Sequence, residues 1–236
     1  MQDLKNDYYN LKKTEFFKQF NEFNTILKKL ISLRYGESFA DKVTYEIKNE
    51  YETIYEEIPY IGGENNPLTS DLVSATMDLA FYLVLKKYGK KLEDIGEIAY
   101  KTSEEIFSIH PEAADLATNQ KYIPFIKISA QLSGKREYPQ DWVYSFLDGN
   151  DDFDYGLDFT ECGICKLFHK YDADEFIPYL CAMDIIMSDT AKAGLHRTQT
   201  LAEEGNKCDF RYKEGRNTKV SNTVIKPKKI IKPNGI

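Results

Sequence analysis

No stretch of the sequence approaches the roughly 18 consecutive apolar residues that a helix needs to span a bilayer, so none reads as a transmembrane segment. A basic surplus is missing too. The 31 Lys and Arg stand against 38 Asp and Glu, a net charge of −7, which argues against the counterion-releasing face of a nucleic-acid binder. The opening residues, MQDLKNDYYNLKK, lack the apolar core of a signal peptide. Thiols are scarce, four in 236 residues, and without export they are expected to stay reduced in the cytoplasm. Tryptophan is reduced to Trp142, whereas Tyr and Phe number 17 and 14; with no basic groove to pair with, those rings read as core and pocket wall. There is no internal repeat and no low-complexity segment.

What is present begins with helical periodicity. Residues 1–13 are polar and expected to be loosely docked. Phe16, Phe20, Phe23, Leu27 and Leu30 then recur at intervals of three and four, the core face of an amphipathic helix. Phe39, Val43, Ile47, Tyr51, Ile54 and Ile58 mark a second helix, ended by Pro59. IGGENNPLTSD is a loop; its Gly62-Gly63 pair has neither the spacing nor the lysine of a phosphate-binding loop, while Thr69, Ser70 and Asp71 offer N-cap oxygens. Residues 72–88 form the most apolar helix, stopped by Gly89. A fourth stripe runs from Leu92 to Ile106 and closes near His110-Pro111, where His110 reads as a helix-end group; 112–134 is ambiguous, with a helix starting near Pro124.

Beyond Tyr138-Pro139 the character changes. Residues 141–147 and 153–159 alternate aromatic with polar residues around an Asp-Gly-Asn-Asp turn, a β-hairpin leading into Cys162. A helix is expected over 174–193, tolerating Pro178 only in its first turn. A second hairpin joins 197–201 to 207–212, and the basic stretch 213–236 reads as a solvated tail. The expected fold class is α+β: a helical N-terminal region (1–137), then a C-terminal antiparallel sheet of hairpins covered by a helix (138–212), then a flexible tail (213–236).

All four cysteines fall within residues 155–212, beside carboxylates: Glu161 next to Cys162, Asp184 three after Cys181, Asp209 next to Cys208. On a continuous helix Ile177, Cys181 and Asp184 share one face, and a carboxylate among core positions requires an ionic or hydrogen-bonding partner. Four explanations remain open: small buried hydrophobes; a zinc site using Cys162, Cys165, Cys181 and Cys208, of which Cys162-x-x-Cys165 is half a ligand set; a nucleophilic thiol activated by His169, His196 or Arg197; and a Cys-x-x-Cys redox pair, disfavoured because no thioredoxin-like strand-to-helix context is apparent.

The run ECGICKLF, EFIPYLCAMD and HRTQTLAEEGNKCDFRY resembles the L-2-amino-thiazoline-4-carboxylic acid hydrolase family, most clearly over 155–212, and IGGENNPLTSDL is similar to that family's helical part. Cys162, Cys181 with Asp184, Thr200-Leu201-Ala202 and Cys208-Asp209-Phe210 carry the likeness. A fainter similarity links the last third to ligand-binding sensor domains related to vinyl reductases. The family resemblance implies hydrolytic opening of a small cyclic amidine or thiazoline, giving N-carbamoyl-L-cysteine from the named substrate. On that footing Cys181 is expected as nucleophile, Asp184 as amidinium holder and proton shuttle, and Cys162 and Cys208 as assisting groups; alternatively Asp184 activates water directly. Arg197 is expected to anchor a substrate carboxylate, with Thr198, Thr200, Asp209 and Glu161 as further substrate contacts. No cofactor is expected unless the thiols hold zinc, and the partner is a small molecule rather than nucleic acid or membrane. The other function class left open is a ligand- or zinc-binding module without chemistry.

Overall fold

The computed structural model describes residues 2–114 and 120–221. The helical stripes form as their periodicity dictates. α1 (Gln2–Tyr35) and α2 (Glu37–Glu57) are joined at Gly36, whose φ of +92° suits glycine, and pack as a hairpin. Phe20 stacks on Tyr51 with ring centroids 4.1 Å apart, and both are fully buried. α1 starts at Gln2, so most of the stretch expected to be loose is helical. Tyr9 is buried there and donates its hydroxyl to the Pro59 carbonyl at 2.9 Å, which holds the first turns down.

α3 (Thr69–Lys87) is the central helix. It packs against α1, α2, α4 (Leu92–Ile109) and α6 (Gly163–His169), so it is apolar nearly all round, as a helix enclosed by others must be. Of the ambiguous region 112–134, residues 115–119 lie outside the described residues, Gln120–Tyr122 is a 3-10 turn, and α5 (Ile123–Ser133) lies against β1. At Gly96 of α4 an added Cβ would stand 1.9 Å from the Tyr179 ring, a close approach that seats the next helices on α4.

Five strands form one sheet in the order β1-β2-β4-β3-β5: β1 (Val143–Asp148), β2 (Tyr155–Glu161), β3 (His196–Arg197), β4 (Cys208–Tyr212) and β5 (Lys219–Val220). The β1–β2, β2–β4 and β4–β3 pairs are antiparallel as expected, whereas β3–β5 is parallel, so the sheet is mixed. β5 comes from the stretch expected to be a solvated tail. The Lys219 amide reaches the Leu195 carbonyl at 2.7 Å and the Ser221 amide reaches Arg197 at 2.8 Å, so backbone pairing docks it; residues 222–236 lie outside the described residues. Pairing register puts Tyr144, Phe146, Tyr155, Leu157, Phe159, Cys208, Phe210 and Tyr212 on one face, and their rings stack across strands.

The single helix expected over 174–193 is instead a 3-10 turn (Asp174–Phe176), α7 (Ile177–Cys181) and α8 (Met183–Thr190), interrupted at Ala182. Pro178 sits in the first turn of α7, where its missing N–H is harmless. The break leaves the Cys181 carbonyl without a helical partner, and a side chain from β3 takes it.

Candidate functional site

That side chain is Arg197. It is 2% exposed, and its Nη2 donates to the Cys181 carbonyl at 2.9 Å while Nη1 hydrogen-bonds the Asp184 carboxylate. The guanidinium also lies over the Phe210 ring, 5.2 Å from its centroid. One arginine therefore ties β3 to both sides of the helix break. Both terminal nitrogens are engaged within the protein, and Nε is the donor left without a partner among the described residues.

The four thiols gather around this pair. Cys162 follows β2 directly and opens α6, so the strand-to-helix context judged missing from the sequence exists. Its sulfur faces the Cys165 thiol, the Ile164 and Cys165 amides and the Trp142 indole. The hydrogen bond from Cys165 leads these in lowering the Cys162 pKa, against the opposing effect of burial. Gly163 makes room for the indole, since a Cβ there would come within 2.7 Å of the Trp142 ring. The other thiols are pushed the opposite way. Cys165 is raised by its hydrogen bond to Cys162 and by burial, Cys181 well above the usual thiol range by burial and then Asp184, and Cys208 to about 12 by burial. The Leu201 amide points at the Cys208 sulfur from 3.2 Å.

A residue read from sequence only as a cap completes the cluster. Asp71, in the first turn of α3, is raised to about 6, mainly by burial and then by the charge of Asp184. Burial also raises Asp184, opposed by Arg197. Yet Asp71 is solvent-exposed and the Asp184 side chain keeps 30% exposure. Protein atoms crowd round each carboxylate while one side stays open to water. Tyr212, on the aromatic face of β4, is raised well above its usual range by burial, Tyr155 and the two aspartates. The loop before α3 locks this corner. Asn66 donates to the Ile61 carbonyl at 2.6 Å and to Asp141 at 2.8 Å, and Asp141 receives the Trp142 amide at 2.7 Å. Two residues now in the cluster, Asp71 and Trp142, are thus positioned by a loop that sequence treats as a turn.

The remaining expected site residues serve the walls. Asp209 accepts the Thr198 and Gln199 amides at 2.8 and 2.9 Å and the Thr198 hydroxyl; Thr200 is buried and donates to Glu203 at 3.1 Å. Together they shape the loop that carries Leu201 to Cys208. Glu161 is held by Lys166 and Arg136, which lower its pKa, and does not meet the other carboxylates. Neither histidine faces the thiols. His169 is 80% exposed and pairs with Asp174, and His196 is lowered by burial, Arg216 and Lys219. Among the described residues no three His, Cys, Asp or Glu side chains are grouped as metal ligands are. A shallow depression lined by Lys101, Glu104, Glu105, Ser108 and Ile109 contains none of the clustered groups.

These features define an α+β protein whose helical and sheet parts converge on a cluster of thiols and carboxylates. Residues 74–212, more than half of the chain, match the family described as L-2-amino-thiazoline-4-carboxylic acid hydrolase, and the chain belongs to that family. The match runs from α3 through β4 and contains every clustered residue except Asp71. No curated protein and no solved structure matches the chain. Among the described residues no helix is long and apolar enough to cross a membrane.

Proposed function

We propose that the protein is a cysteine-dependent hydrolase opening a small cyclic amidine or thiazoline, with Cys162 as nucleophile. The observation that carries this reading is the set of donors around Cys162, the one thiol of the four whose pKa is lowered. A thiolate is the reactive form, and hydrogen bonds to it favour ionisation. Cys181, expected from sequence to attack, is disfavoured because burial and Asp184 keep it protonated.

In this mechanism the Cys162 sulfur adds to the carbon bonded to two nitrogens and one sulfur. The tetrahedral adduct collapses by breaking the ring carbon–sulfur bond, and the departing sulfur takes a proton. Water then adds to the enzyme-bound carbon and expels Cys162, leaving a urea. Asp71, raised to about 6, titrates near neutral pH and suits proton transfer in both steps. Asp184, held by Arg197, faces the positive amidinium. Family membership and the aromatic face of β4 beside the thiols and carboxylates support a small-molecule substrate.

The test is alkylation followed by peptide mapping, together with turnover of a panel of cyclic amidines and thiazolines. Iodoacetamide is expected to label Cys162 first and at a pH below its normal range, and Cys162→Ser is expected to lower kcat/KM by at least about 10³. Full turnover by Cys162→Ser, or preferential labelling of Cys181, would remove Cys162 as nucleophile.

A further inference from the structure

We propose that Cys162 and Cys165 form a reversible redox pair, closing to an intramolecular disulfide when the protein meets a hydroperoxide. The spacing alone is weak support. Geometry adds the rest. Cys162 stands where β2 ends, Cys165 lies three residues on in the first turn of α6, and the Lys166 amide donates to the Cys162 carbonyl at 3.1 Å, so that turn is already wound. Residues three apart on a helical turn have Cβ atoms roughly 5–6 Å apart, and a disulfide needs about 3.5–4.5 Å. Closure therefore asks only for a local tightening. Cys165 is also the group that most favours the Cys162 thiolate, as a nearby resolving thiol would. Both residues keep partial exposure, whereas Cys208 is buried.

The chemistry balances with the peroxide as the sole oxidant. The Cys162 thiolate attacks the nearer peroxide oxygen, the O–O bond breaks, and a sulfenic acid forms while the departing alkoxide or hydroxide takes up the proton that Cys162 gave up on ionising. The Cys165 sulfur then attacks the Cys162 sulfur, the S–O bond breaks, and hydroxide leaves with the Cys165 proton as water. Two electrons pass from the sulfur pair to the peroxide. An external dithiol reverses the change by exchange. The lowered pKa of Cys162 favours the first step, and its hydrogen-bonded neighbour lies closer in sequence than Cys181 or Cys208 for the second. The disulfide would also remove the proposed nucleophile and halt hydrolysis, a consequence that rests on the hydrolytic reading above.

The experiment treats the reduced full chain with hydrogen peroxide, quenches in denaturant with a maleimide mass tag, and maps peptides. Free thiols are expected to fall from four to two, with one cross-linked peptide joining Cys162 to Cys165 and recovery of all four thiols in dithiothreitol. In Cys165→Ser, dimedone is expected to trap a sulfenic acid at Cys162 without a disulfide. Four thiols surviving peroxide, a bridge to Cys181 or Cys208, or direct passage of wild-type Cys162 to sulfinic acid would overturn the pair. The wild-type map needs no variant, so poor folding of Cys165→Ser leaves the test intact. If the bridge forms but the reduced protein turns over none of the substrate panel, the hydrolase reading fails and the redox pair stands. Full turnover by the bridged protein would overturn the proposed loss of hydrolysis.

Discussion

The α1–α2 hairpin and the recess around Arg197 are both buried, but they are buried for different reasons. In the hairpin, Phe20, Leu27, Ile47, Tyr51 and Ile54 are fully enclosed, and each apolar side chain withdrawn from water contributes about 1.5–3 kcal/mol. The purely apolar ones need no particular partner, whereas the buried Tyr51 hydroxyl has none among the described residues. Around Arg197, that arginine and the partly exposed Asp184 carry charge into crowded protein, and burial there is unfavourable until paired. Arg197 is tolerated because Asp184 and the Cys181 carbonyl meet it. The first kind of region withstands change by repacking; the second fails when one member is removed.

The largest effect should therefore follow from Arg197→Met. Leaving Asp184 buried without its cation is expected to destabilise the fold by about 3–5 kcal/mol, measured by urea unfolding. A loss below about 1 kcal/mol would mean that Asp184 is solvated enough to need no partner. Phe20→Ala should lose a comparable 3–4 kcal/mol through its cavity, yet leave the rate of Cys162 alkylation in the folded protein unchanged. If labelling slows as well, the two regions are not energetically separable.

Asp71→Asn should lower kcat/KM by about 10²-fold while stability changes little. The wild-type pH–rate profile is expected to lose activity as the pH falls through about 6, the limb set by Asp71, and the variant should lack that limb. A limb that persists in the variant would assign it to another group.

The gentlest test concerns Asp78, which is 8% exposed on α3, has a carboxyl oxygen without a partner, and is raised by burial to about 8. Its neutral form is preferred in the folded chain, whereas the unfolded chain releases the proton near pH 4. Stability is thus greatest below about pH 4 for this group and declines as pH rises towards 8. Asp78→Asn should remove that decline and raise the unfolding free energy at pH 9, by an amount on the order of a few kcal/mol at most, with a higher melting temperature. An unchanged slope between pH 5 and pH 9 would place the Asp78 carboxyl in contact with water.

How much of this was legible in the chain follows from the same comparison. The stripes of α1, α2, α3 and α4 and the alternation of β1 and β2 are local repeats, visible within a dozen residues, and they fixed those elements and the α+β class. The family's Cys, Asp and Arg positions were readable as residue types. Their roles were not. The sequence points to Cys181 because Asp184 follows it on one continuous helix; the helix breaks at Ala182, and burial and Asp184 raise the Cys181 pKa. Cys162 looked like an assisting group because the donors around it include the Trp142 indole, 20 residues away in sequence.

Sequence by itself determined the helices of the first half that carry apolar stripes, the β1–β2 hairpin, and that every thiol would lie in the last third. Tertiary structure alone decided which groups surround each thiol, that Asp71 from the helical half joins Asp184, and that residues 219–220 close the sheet beside Arg197. The physical reason is range. Periodicity and turn chemistry act between neighbours along the chain, whereas desolvation and charge coupling depend on which atoms surround a group in space, and those atoms come from seven separate elements of this fold.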